Sequence, residues 1–155
     1  AGASQPGRLA YTAPRGRPAG LRRDEAQGAG MTRAELVMRL SIAISEMEGL
    51  NKPNSRASRN NNPGNLRSWK GVPVEDGYAK FPTMAAGWNA LRKQVDKNVG
   101  RGLTLYEFFG GKPNVYPGYA PDSDGNHSRQ YAEFVAKRVG IPADVPLYTL
   151  ISKEI

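Results

Sequence analysis

The feature that most constrains this chain is an abrupt change of pattern. Leu36, Val37, Leu40, Ala43, Ile44 and Met47 recur at helical spacing, and the run stops at Glu48-Gly49. Ten residues further on comes Arg59-Asn60-Asn61-Asn62-Pro63-Gly64-Asn65-Leu66-Arg67, built mostly from turn-forming residues. Such a chain makes an amphipathic helix that ends on a carboxylate and then turns into a polar loop. That pairing suits general-acid chemistry on a polyhydroxylated substrate.

The start of the helix is equally legible. Thr32-Arg33-Ala34-Glu35 reads as a capping box, in which the Thr hydroxyl and the Glu three residues on satisfy orphan amides. A second helix is expected from Thr83, through Met84, Trp88, Leu91, Val95 and Val99. A short one is expected from Thr104, with Glu107 at its third position, and a fourth over about 127–139, closed by Gly140 and Pro142. Between the first two, Leu66–Trp69 and Tyr78–Phe81 read as short strands, with Glu75-Asp76-Gly77 as the turn signal. The expected fold class is mostly helical α+β with one small β-hairpin.

Before Met31 the chain changes character. Residues 1–30 are rich in Gly, Pro, Arg and Ala and hold few large apolar residues beyond Leu9, Tyr11 and Leu21. Such a segment cannot bury enough surface to offset its ordering entropy, so it reads as an extended basic arm, with one domain over 31–155. The start at Ala1 fits removal of an initiator Met or trimming of a longer precursor.

Composition narrows the chemistry. With no cysteine there is no disulfide framework and no thiolate zinc site, and the single histidine, His127, makes a Ser–His–Asp hydrolase or a His-rich metal site a poor fit. No metal and no cofactor are expected. No apolar run is long enough to span a bilayer, and no secretory signal core is present at the N-terminus. The net charge of +8 points to an anionic partner, either nucleic acid or the bacterial cell wall. The arm contributes five Arg against Asp24 and Glu25, so the excess is spread along the chain. No helix carries a basic face interleaved with aromatics, which argues against nucleic acid.

Helical phase separates the two acids that end the first helix. With the apolar stripe centred near Leu40, Glu48 lies about 80° from its centre and Glu46 about 120° away on the other flank. Glu48 is nearer the apolar wall, where desolvation raises a carboxyl pKa and keeps the proton available for a leaving oxygen. An acid at a helix C-terminus also opposes the macrodipole, so local stability does not account for it. The Asn-rich loop has two readings, a tight connection or a set of amides matched to sugar hydroxyls and N-acetyl groups. Tyr106, Phe108 and Phe109 read as core, and His127 as a surface or capping residue. Trp69, close to the loop, has two readings, a face that stacks on a sugar or a ring that fills a small core.

These residues carry a resemblance. Glu48-Gly49, the Asn-Asn-Pro-Gly-Asn-Leu-Arg string, Gly77-Tyr78-Ala79-Lys80-Phe81, Ala86-Gly87-Trp88-Asn89-Ala90-Leu91, Gly102-Leu103-Thr104-Leu105, Tyr119-Ala120-Pro121 and Tyr131-Ala132-Glu133-Phe134-Val135-Ala136 resemble the lysozyme-like glycosidases and transglycosylases of tailed phages and prophages. The resemblance covers about 31–148. It implies a fold of the goose-type lysozyme and soluble lytic transglycosylase superfamily, acting on peptidoglycan at the MurNAc–GlcNAc β-1,4 bond. It implies that Glu48 is the catalytic acid and that Asn62, Asn65, Arg67, Tyr78 and Tyr119 contact the glycan. Gly64-Asn65-Leu66-Arg67 stands where the transglycosylases carry Gly-Leu-Met-Gln, and it departs from that string. The resemblance also implies residence in a phage virion, as a tail or internal protein acting on the host periplasm and wall.

Hydrolases pair two carboxylates, whereas a lytic transglycosylase needs one, because the 6-hydroxyl of the substrate attacks. Glu75 and Asp76 lie at the expected turn, and Asp122 and Asp124 lie in a Pro/Gly-rich loop. None is a convincing partner, so the transglycosylase is favoured over the muramidase. The alternatives are a virion structural protein of lysozyme-like fold, anchored to other subunits by residues 1–30, and a basic nucleic-acid-binding protein.

Overall fold

The computed structural model of the protein describes residues 30–152. The arm expected over 1–30 therefore lies, apart from its last residue, outside the described residues. Those residues form five helices and one two-stranded antiparallel sheet, so the fold is mostly helical α+β.

Helix α1 spans Arg33–Met47 and starts as its sequence dictates: Thr32 is extended, and its hydroxyl oxygen accepts from the Glu35 amide at 3.1 Å. Its buried face carries Leu36, Leu40 and Ile44, all fully enclosed. Helix α2 is a four-residue turn, Arg56–Arg59, capped by Ser55. It was not anticipated, because four residues are too few to show a periodicity. Helix α3 spans Met84–Gly100 behind the Thr83 cap, and α4 spans Leu105–Gly110 behind a complete Thr104/Glu107 capping box. Helix α5 spans Ser128–Val139 and ends at left-handed Gly140.

Helix α1 packs against α3 and α5, and α4 packs against α5. Leu91 and Val95 of α3 and Tyr131 and Val135 of α5 meet the α1 stripe in one core. Phe108 and Phe109 of α4 are fully buried there, in the role expected of them. Phe109 meets Tyr119 and Tyr131 edge-on, with ring centroids 5.9 and 6.0 Å apart. The two ends of the described residues are tied together: the Met31 carbonyl accepts from the Ser152 amide at 2.7 Å and from its hydroxyl at 3.1 Å.

The hairpin corrects one expectation. Its strands are β1, Val74–Glu75, and β2, Tyr78–Ala79, with Val74 opposite Ala79 and Glu75 opposite Tyr78. Asp76 and Gly77 both have positive φ, so they form a two-residue turn that fixes this register. Leu66–Trp69 is not a strand. It touches β2 through one bond, from the Ala79 amide to the Leu66 carbonyl at 2.9 Å.

Candidate active site

The site is built where α1 ends. Gly49 has φ +82°, a left-handed conformation open to glycine and strained for other residues. The amide of Leu50 returns to the Ser45 carbonyl at 3.0 Å and that of Gly49 to the Glu46 carbonyl at 3.1 Å, the pair of bonds that closes a Schellman motif. Glu48 thus caps the helix, and the following glycine is what lets the chain reverse beneath it.

The two acids part here. Glu46 forms an ion pair with Arg138 of α5, Nε to Oε1 at 2.9 Å, and Nη2 also donates to Oε2 at 3.1 Å. Its role is to join two helices. Glu48 is 9% exposed and pairs with no cation among the described residues. Its Oε1 accepts from Asn65 Nδ2 at 3.3 Å, while Oε2 is shielded from solvent and has no hydrogen-bond partner. Burial pushes its pKa from 4.5 up to about 8; the Asn65 hydrogen bond and the charge of Arg56 pull the other way and do not overcome it. At neutral pH the group is a carboxylic acid with one oxygen held and one unengaged.

The Asn run turns out to be a brace. Asn60 Nδ2 donates to the Glu75 carbonyl at 3.3 Å, and the Asn60 carbonyl accepts from the Phe81 amide at 2.9 Å. Asn61 Nδ2 donates to the Phe81 carbonyl at 3.1 Å. Asn62 is fully buried: Nδ2 donates to the Leu66 and Ala79 carbonyls and Oδ1 accepts from the Leu66 amide, each at 2.9 Å. Both of its amide hydrogens are committed to backbone, so Asn62, expected at the glycan, instead fastens the loop to the hairpin. Asn65 alone in the loop points its amide at the acid, from a left-handed backbone with φ +50°.

Tyr119 is also placed differently from a cleft wall. It is 1% exposed, its ring lies in the α4 aromatic cluster, and its hydroxyl donates to the Gly64 carbonyl from beneath the loop. Burial, and then the neighbouring Glu48, hold that hydroxyl well above its ordinary pKa, so it remains a donor. Tyr78 and Arg67, expected near the glycan, lie together: the Arg67 guanidinium carbon is 4.7 Å from the centroid of the Tyr78 ring. Arg56 of α2 approaches the same ring at 4.2 Å. The sequence did not point to Arg56, and it gave no packing role to Gly87 of α3, where an added Cβ would fall 1.9 Å from the Asn61 carbonyl oxygen. Small residues in the first turn of α3 are the only trace of that close approach.

Of the other candidate carboxylates, Glu75 and Asp122 are engaged, while Asp76 and Asp124 are exposed on turns. Glu75 pairs with Lys80 at 3.1 Å on the exposed hairpin, and Asp76 forms its tip. Asp122 accepts from the Ser128 amide at 2.9 Å at the start of α5, and those bonds hold its pKa below the usual range. Trp69 is half-buried against the core, with Lys97 5.6 Å from its ring centroid. His127 is exposed. Among the described residues no three His, Cys, Asp or Glu side chains gather as metal ligands, and no helix is long and apolar enough to cross a membrane.

No protein-family model, curated protein or solved structure matches the chain.

Proposed function

We propose that this protein is a peptidoglycan lytic transglycosylase of lysozyme-like fold, cutting the MurNAc–GlcNAc β-1,4 bond with Glu48 as its single acid and base. The observation that carries this reading is the state of Glu48: buried, protonated to about pH 8, steadied on one oxygen by Asn65 and unengaged on the other. A carboxylic acid kept neutral at working pH is what protonation of a glycosidic oxygen requires. Because Oε2 is shielded, substrate binding has to uncover it before the proton can move.

In this mechanism Oε2–H gives its proton to the glycosidic oxygen as the bond from that oxygen to the MurNAc C1 breaks. The carboxylate then accepts the proton of the MurNAc 6-hydroxyl while O6 bonds to C1. Glu48 returns to its starting form, no water is consumed, and the product is a 1,6-anhydro sugar. Single-acid chemistry is supported by the other commitments of Glu75 and Asp122, to Lys80 and to the α5 amide. On the resemblance of its motifs we assign the protein to a tailed-phage particle, with residues 1–30 contacting other virion subunits.

Mass spectrometry of the products from purified peptidoglycan tests the reading. Anhydro-muropeptides are expected from the parent, with at least a thousandfold loss in Glu48→Gln. Reducing-end products would establish a muramidase instead. Undiminished cleavage by Glu48→Gln would overturn the assignment of the acid.

A further inference from the structure

Two cations meet on one ring beside Glu48. The guanidinium carbons of Arg56 and Arg67 lie 4.2 and 4.7 Å from the centroid of the Tyr78 ring. Neither arginine has a carboxylate partner among the described residues. The nearest acid in the register, Glu75 opposite Tyr78, is bound by Lys80. Arg56 is half-buried, and its Nε is shielded with no hydrogen-bond partner, which leaves a buried charged donor unmatched.

Stacking on the ring explains part of this arrangement, since the negative face of an aromatic attracts a guanidinium. It does not explain why two like charges converge where no carboxylate of the described residues pairs with them. A guanidinium stacked flat also keeps its in-plane N–H groups free, and that fork fits a carboxylate in bidentate fashion. Position supplies the rest. Arg67 is two residues beyond Asn65, which holds Glu48, and Arg56 is near enough for its charge to act on the Glu48 carboxyl. A substrate strand that presents its glycosidic oxygen to Glu48 brings its own substituents to this pair.

We propose that Arg56, Arg67 and the ring of Tyr78 form a carboxylate-binding subsite, which grips the acidic lactyl-peptide substituent of a muramoyl residue and selects acidic glycan over neutral chitin-type glycan. The substrate class named here rests on the function proposed above; the anion site itself rests on the convergence of the two arginines.

Titration of the full chain by nuclear magnetic resonance tests this without any cleavage. The probes are N-acetylmuramoyl dipeptide, which has no glycosidic link to break, N-acetylglucosamine and glycerol phosphate. The parent is expected to bind the muramoyl dipeptide at least tenfold more tightly than N-acetylglucosamine, with a preference that weakens as salt rises. Arg67→Gln and Arg56→Gln should each remove most of that preference, and Arg67→Lys should restore only part of it. The Arg67 side chain is exposed, so Arg67→Gln carries the test if the Arg56 variant fails to fold. Equal affinity for the dipeptide in parent and variants, or absence of saturable dipeptide binding, would overturn the subsite. Tighter binding of glycerol phosphate than of the dipeptide would overturn the carboxylate assignment. Peptidoglycan cleavage is scored separately: cleavage without dipeptide selectivity sinks only the subsite, and selectivity without cleavage sinks only the transglycosylase.

Discussion

At the scale of single residues, Glu48 and Asn65 act as one unit. Removing the Asn65 amide takes away a hydrogen bond that favours the charged carboxylate, so the pKa of Glu48 should rise further above about 8. Asn65→Gly keeps the left-handed backbone accessible at this position, where alanine would be strained. In a pH–rate profile of peptidoglycan cleavage, the parent should lose kcat/KM as pH rises through about 8, where the acid gives up its proton. The Asn65→Gly limb should lie at higher pH; a limb that stays in place would mean that the 3.3 Å contact does not govern the titration. Glu48 was legible from sequence because helical phase and the following glycine are local properties of α1. The role of Asn62 was not, because a side-chain amide bonds a sugar or a backbone carbonyl equally well, and only the folded loop decides between them. Arg56 was hidden for another reason, since it reaches the site from a helix one turn long.

At the scale of elements, the site depends on how closely α3 approaches the loop that follows α2. Gly87 lies on the contact, and a methyl group there would meet the Asn61 carbonyl oxygen at 1.9 Å and Pro63 Cδ at 2.8 Å. Both neighbours belong to the loop framework, which cannot move without disturbing Asn65. Gly87→Ala is therefore expected to destabilise the fold by about 3 kcal/mol, read as a lower urea midpoint, and to reduce cleavage even where the protein remains folded. An unchanged midpoint would show that α3 and the loop can separate freely. The caps of α1, α3 and α4 were readable because Thr32, Thr83 and Thr104 each act within three residues of themselves. The first strand was misplaced because pairing was inferred from side-chain type. A two-residue turn at Asp76-Gly77 leaves β2 only one antiparallel partner across it, Val74–Glu75.

For the molecule as a whole, a buried neutral acid makes stability depend on pH in the direction opposite to a salt-bridged carboxylate. The unfolded chain releases the Glu48 proton above about 4.5, whereas the folded chain retains it until about 8. Across that window the native state binds more protons, so unfolding free energy falls as pH rises, by on the order of 4 kcal/mol from this group. Urea denaturation of parent and Glu48→Gln should give similar stability near pH 4.5 and a clear advantage for the variant near pH 8. Parallel curves across that range would mean that the group is solvated in the folded protein. The helical α+β class was visible in sequence because it is set by periodicity and caps. The joining of the domain's ends was not, since Met31 and Ser152 are brought together only by the completed core. That clasp gives the domain the topology of a nearly closed loop. Its entry and exit lie side by side, so it can be spliced into a surface turn of a larger carrier without stretching either one. The same closeness makes circular permutation of residues 31–152 feasible, with Met31 and Ser152 bridged by a short linker and the chain reopened at the exposed Pro113–Val115 segment.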